Sequence, residues 1–242
     1  MSARGCWAAR GVPLLLVVGC FSNDAAVPIV TAVKRGNIAI SPLPLCNGTF
    51  TTVTLIGSGF YPTVDVTADE PAIVDPLVAL LGPGGTQISF GTKVVSSNEI
   101  TFSVPGNPVV TTVPPGPYDV LVSDPDGSSF IAKHALDLVP APQMGAVQPA
   151  SICRERNESV LVSGSGFTPG APTVSMATFN GTFTPANVVA TATSTAITIT
   201  LPAQSVPPLL APPAGFSVDL IVEDVAGCVL DVRMDVRQGC GP

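Results

Sequence analysis

VTLIGSGF, Val53–Phe60, returns further along the chain as VLVSGSGF, Val160–Phe167. The match extends outward without a gap. AISPLPLCNGTFTTVTLIGSGFYP from Ala39 aligns with AVQPASICRERNESVLVSGSGFTP from Ala146, placing Pro42 on Pro149, Cys46 on Cys153 and Phe60 on Phe167, each pair 107 positions apart. ITFSVP from Ile100 then matches ITITLP from Ile197, and PPGPYDVLVSDPDG from Pro114 matches PPAGFSVDLIVEDVAG from Pro212. Order is kept while spacing drifts between the blocks, which is the pattern of a duplicated domain with insertions and deletions in its loops. The copies meet near Val139–Gln143, where VPAPQ punctuates the chain.

Inside each copy the apolar residues alternate. Val53 and Leu55 are separated by Thr54; Ile100, Phe102 and Val104 by Thr101 and Ser103; Val218, Leu220 and Val222 by Asp219 and Ile221. A period of two over short runs bounded by Gly, Pro and Asp predicts half-buried antiparallel strands. The turns DPDG (124–127) and EDVAG (223–227) predict a hairpin between the last two strands of each copy. With 26 Pro, 23 Gly and an apolar fraction of 46%, the 242-residue chain is stocked with strand and turn formers and is too apolar to stay unfolded. The expectation is an all-β protein of two tandem β-sandwiches.

The Gly-Ser-Gly cores could suggest chemistry. A phosphate loop must open a helix after a strand, yet each core is followed by Phe and then Pro within three residues, with no helical pattern behind it. The serine spacing also fails the nucleophile-turn pattern. The expected role is structural: Gly57, Gly59, Gly164 and Gly166 let the chain turn out of a strand, and Phe60 and Phe167 plug the end of each sandwich.

Taken together, VTLIGSGF with Pro62, VVSSNEITFSVP and PPGPYDVLVSDPDG resemble the IPT/TIG domain, an immunoglobulin-like module. In the second copy the corresponding blocks are VLVSGSGFTPG, TSTAITITLP and PAGFSVDLIVEDVAG, and the resemblance spans about Asn37 to Val236. It implies two immunoglobulin-like β-sandwiches, domain 1 over 36–139 and domain 2 over 140–242, acting as a binding or spacer module with no catalytic residues and no cofactor. Four cysteines, Cys46, Cys153, Cys228 and Cys240, allow three pairings. In an immunoglobulin-like sandwich the start of the chain and the turn before the last strand share an end, so the resemblance implies Cys153 with Cys228. Ser128 stands at the first-copy position of Cys228, so Cys46 lacks the equivalent partner; Cys240 is its remaining candidate for a further pair, though domains strung end to end would hold the two far apart.

The N-terminus carries Arg4 and Arg10 ahead of an apolar run from Val12 to Val18, a signal peptide over 1–19 too short to span a membrane. Its end, Val17-Val18-Gly19-Cys20, resembles the bacterial lipobox. That resemblance implies lipid, palmitate included, on Cys20, and a tether over 20–35. It also implies a place in the cell envelope; Phe21 in place of an Asp favours the outer membrane. Loss of Arg4 and Arg10 with the signal takes the formal charge from −7 to −9, which disfavours a nucleic-acid partner.

Other candidates are weak as chemistry. The single histidine, His134, reads as a strand side chain rather than a general base, and without CxxC pairs no metal site is expected. Asp65, Asp69, Glu70 and Asp75 read as loop charge, and the sequons at Asn47, Asn157 and Asn180 as chance matches in a Thr-rich chain. Tyr118 is expected to pack at a strand corner. The leading expectation is therefore a non-catalytic, lipid-anchored envelope protein acting as a spacer or protein-interaction module. A glycan-binding adhesin comes second, weakened by a mature chain with no Trp. An accessory subunit of an envelope enzyme or secretion complex comes third.

Overall fold

The computed structural model describes residues 27–65, 72–105, 113–178, 181–206 and 216–240. The signal peptide and Cys20 lie outside them.

Domain 1 contains β1 (Ile29–Lys34), β2 (Leu43–Cys46), β3 (Thr51–Ser58), β4 (Thr63–Asp65), β5 (Ala72–Val74), β6 (Leu77–Leu81), β7 (Gln87–Phe90), β8 (Thr92–Ser96), β9 (Glu99–Val104), β10 (Gly116–Ser123) and β11 (Ser129–Val139). One sheet runs β1-β3-β9-β8 and the facing sheet β2-β11-β10-β6-β7, with β4 and β5 as a separate ribbon. Domain 2 contains β12 (Gln143–Gln148), β13 (Ser151–Cys153), β14 (Glu158–Ser165), β15 (Thr173–Thr178), β16 (Gly181–Phe183), β17 (Val189–Ala192), β18 (Ala196–Leu201), β19 (Phe216–Glu223) and β20 (Val229–Arg237). Its sheets, β12-β14-β18-β17 and β13-β20-β19-β15-β16, repeat those of domain 1 strand for strand. Both domains are thus immunoglobulin-like sandwiches, and the duplication read from sequence is a duplication of topology.

The alternation explains the two cores. Val53, Leu55, Ile100, Phe102, Val120 and Val122 point inward in domain 1 and are at most 2% exposed, while the threonines between them face outward. Val160, Val162, Ile197, Ile199, Leu220 and Val222 do the same in domain 2. Each cluster lies between its own two sheets, the usual arrangement of aligned sandwiches.

In both domains the first strand divides its allegiance. β1 pairs antiparallel with β3, then the chain crosses to the other sheet and β2 pairs parallel with the end of β11, Cys46 opposite Val139. β12 and β13 repeat this against β14 and β20, with Cys153 opposite Arg237. Domain 1 therefore begins at β1, which corrects the expected tether over 20–35. IVTAVK places Val30 and Val33 in the core and bonds along β3. The repeat concealed this because Lys34 pairs with Thr54 as Gln148 pairs with Leu161, yet residues 35–41 separate Lys34 from Pro42 whereas Gln148 adjoins Pro149. That insertion, folded back through an Arg35–Ile38 bridge, puts β1 out of line with its counterpart.

Candidate interaction surface at the joint between the domains

The strands run so that Cys46 and Val139 leave the lower end of domain 1, while the β19–β20 turn, residues 224–228, forms the upper end of domain 2. These ends meet. The turn is built by Asp224, whose N–H donates to Cys228 O (3.0 Å) and whose carbonyl accepts from Gly227 N–H (2.9 Å), with Gly227 at φ +86°. The Asp224 carboxylate is only 2% exposed, and backbone donors satisfy it: Ala226 and Cys228 N–H to Oδ1 (both 2.9 Å) and Thr168 N–H to Oδ2 (3.1 Å). Three such donors are what makes a carboxylate tolerable at this depth.

Domain 1 grips that turn in three ways. Cys46 forms a disulfide with Cys228, their Cα atoms 5.0 Å apart. The Cys46 N–H donates to Ala226 O at 2.9 Å, adding a backbone bond across the joint. Arg35, carried by the insertion, donates from Nη1 to Glu223 Oε1 (2.5 Å) and from Nη2 to the carbonyls of Val225 (2.9 Å) and Asp224 (3.5 Å). A planar guanidinium can hold carboxylate and carbonyls at once where an ammonium cannot. Gly227 is fixed a second time here, since a Cβ on it would lie 2.7 Å from Arg35 Nη1.

The second disulfide joins Cys153 to Cys240 at the opposite end of domain 2. Both bridges correct the expected pairing of Cys153 with Cys228 and Cys46 with Cys240. β13 runs parallel to β20, so Cys153 sits beside Arg237 at the end of the last strand, whereas Cys228 sits at its start. At about 3.3 Å per residue the two cysteines are roughly 30 Å apart, far beyond the reach of one bridge.

At the upper end of domain 1 the equivalent turn is free of this grip. Gly127 is again at positive φ and donates to Asp124 O (3.0 Å), but Ser128 replaces the cysteine and its N–H goes to Asp126 Oδ1 (2.8 Å) rather than to Asp124. Asp124 is 7% exposed, Oδ1 has no hydrogen-bond partner among the described residues, and burial, reinforced by the charge of Asp126, pushes its carboxyl up to about 6.

The GSGF stretches occupy corresponding places. Gly57 lies where a Cβ would run into Ile29 O and the Phe60 ring, and Gly164 where one would run into Gln143 O and the Phe167 ring. Gly59 and Gly166 are at φ +80° and +77°. Phe60 and Phe167 are buried in the two cores. Tyr118 is buried at the β10 corner, donates its hydroxyl to Pro114 O (2.8 Å) and has its own ionisation pushed up by burial.

His134 is exposed, in a β11 bulge at φ +44°; its N–H donates to Asp119 Oδ1 and its Nε2 lies 2.8 Å from Asp137 Oδ1. Among the described residues, no serine or cysteine joins that pair. Cys153, Glu155 and Cys240 bring three ligand atoms within 4.8 Å, but the two sulfurs are bonded to each other. A groove of about 600 Å³ lies between β1 and β11, lined by Val30, Ala32, Ile40, Phe130, Ile131 and Lys133. Asn47 donates its side-chain amide to Val113 O, and Asn157 Oδ1 accepts from Ala203 N–H, so both sequon side chains serve loops. Asp69, Glu70 and Asn180 lie outside the described residues. Among the described residues no helix is long and apolar enough to cross a membrane.

The joint residues Arg35, Glu223 and Asp224 were not legible as a set. The only signal was the contrast between DVAGC and DPDGS at aligned turns.

No protein-family model matches the chain, and no curated protein matches it either. Among solved structures, the chain is similar to the full extracellular region of plexin A4 at 13% identity and a TM-score of 0.47, with 88% of this chain and 16% of that one covered. An I-band fragment of titin aligns at 14% identity and a TM-score of 0.32 over 88% of this chain and 66% of that one. The chain thus spans about a sixth of the plexin chain and about two thirds of the titin fragment.

Proposed function

We propose that the chain is a non-catalytic, lipid-anchored protein of the bacterial cell envelope, with the outer membrane its favoured address, whose two IPT/TIG-like domains act as a spacer and protein-interaction module. The observation that carries the reading is the joint: two sandwiches placed in series and fixed there by a disulfide, a backbone bond and the Arg35 clamp. Such fixation suits a body that holds its far end at a set distance from its anchor, whereas relative motion is the default for domains on a bare linker. The anchor itself is supported by Val17-Val18-Gly19-Cys20 at the end of a short apolar run. Several acyl chains would hold the protein stably, where a single chain would not.

The test is palmitate labelling of the full-length chain in a bacterial host, with and without globomycin. Labelled, membrane-bound protein whose processing stops with the drug supports the reading. If Cys20→Ala is labelled and membrane-bound to the same extent, the anchor is wrong. Co-purification of a stoichiometric envelope protein supports the interaction module; selective glycan-array binding without such a partner replaces it with an adhesin.

A further inference from the structure

We infer that the two disulfides make a covalent spine that carries tension from one end of the molecule to the other, so that most of the chain cannot be drawn out by force. The Cys46–Cys228 bridge closes a ring with a sequence separation of 182 residues. A pull applied at β1 and at the end of β20 passes down β1 and β2 to Cys46, across the sulfurs to Cys228, and along β20; everything between those two cysteines is bypassed. β20 is paired with β19 from Val229 to Val236 and, at its end, with β13 from Asp235 to Arg237. The second bridge extends the path. A grip on the loop after β13 reaches β20 through Cys153 and Cys240 instead of unthreading domain 2.

Pairing within domain 2, Cys153 with Cys228, would staple one sandwich and leave the domains connected only through the linker after Val139. The observed pairing links the modules in series. Cys46 and Cys228 are 3% and 1% exposed, so the central bridge is shielded from attack by thiols in solution.

The purpose of such a spine rests on the anchored-spacer reading, but its mechanics do not, and one experiment separates them. The mature chain is stretched in optical tweezers between tags fused before residue 21 and after residue 242. In non-reducing buffer the expected total lengthening stays below about 150 Å, the reach of the residues outside the ring. The Cys46→Ser/Cys228→Ser variant, in which the Cys153–Cys240 bridge still bypasses the chain between those two cysteines, should release about 330 Å more. Should that variant fail to fold, wild-type protein held under load in dithiothreitol, where extension exposes both bridges to reduction, should lengthen by about 600 Å more than the oxidised protein. Moving the distal tag into the loop at residues 155–157 should leave the oxidised lengthening short, and Cys153→Ser/Cys240→Ser should then add about 200 Å. Lengthening of the oxidised wild type by several hundred ångströms would overturn the spine without touching the lipid anchor; failure of palmitate labelling would remove the anchor and leave these lengths unchanged.

Discussion

Arg35 and Glu223 meet across the joint at 2.5 Å, with the arginine 16% and the glutamate 43% exposed. The pair is therefore lopsided. The half-exposed carboxylate is exchangeable for water, while the guanidinium also serves two turn carbonyls. Glu223→Ala is expected to cost at most about 0.5 kcal/mol, as for exposed ion pairs. Arg35→Ala should cost about 1–2 kcal/mol, because it leaves carbonyls at the joint without their charged donor. Chemical denaturation of the two variants checks the ranking, and Arg35→Lys should recover less than half of the loss.

Peptide mapping under non-reducing conditions should yield Cys46–Cys228 and Cys153–Cys240 as the two linked pairs. Cys46→Ser/Cys228→Ser should lower stability by a few kcal/mol and broaden the distribution of interdomain distances in small-angle scattering. Cys153→Ser/Cys240→Ser should leave those distances unchanged.

Phe60→Ala and Phe167→Ala should each destabilise one domain by about 3–5 kcal/mol, as expected for emptying a buried aromatic site. Calorimetry of each variant should show the affected transition displaced and the other domain retained. Full-strength transitions in both variants would count against the plug role.

Asp124 gives the upper turn a pH dependence. Its folded-state value of about 6 lies above the ordinary 3.8, so the folded protein binds this proton more tightly than the unfolded chain. Its contribution to stability is full below about pH 4 and is lost as pH rises through about 6. Asp124→Asn should flatten the melting temperature between those values and stabilise domain 1 at pH 7 by about 1 kcal/mol, the scale of relieving one buried, poorly paired oxygen. Asp224→Asn should instead destabilise domain 2. Its carboxylate accepts three backbone N–H groups through both oxygens, and an amide retains only one acceptor oxygen.

The sequence carried the strands whose apolar residues alternate and the duplication that repeats them, because both are local patterns imposed by a two-sided sheet. Val53, Ile100 and Val218 needed only their neighbours to be assigned inward. β1 escaped because its evidence is non-local: IVTAVK is a strand through its bonds to β3, and the Arg35–Ser41 insertion had shifted it out of alignment. The disulfides escaped for a related reason. Their pairing depends on β13 running parallel to the far half of β20, and parallel neighbours distant in sequence leave no periodic mark. Asp124 and Asp224 looked alike as turn acids; only the route of a few backbone N–H groups separates a satisfied carboxylate from a stranded one.

Cys153 holds in domain 2 the corner that Cys46 holds in domain 1, yet it closes on the chain's own tail. The first module has the corner cysteine and a serine in its turn; the second has both cysteines and a tail to seal its corner. A unit with both is complete for insertion: another copy spliced between the two would receive a bridge from above and offer one below, and every sulfur would still find a mate. Ser128 leaves the upper turn of domain 1 with no sulfur to offer, Cys240 closes the lower corner of domain 2, and a copy inserted between them would need no bond redesigned.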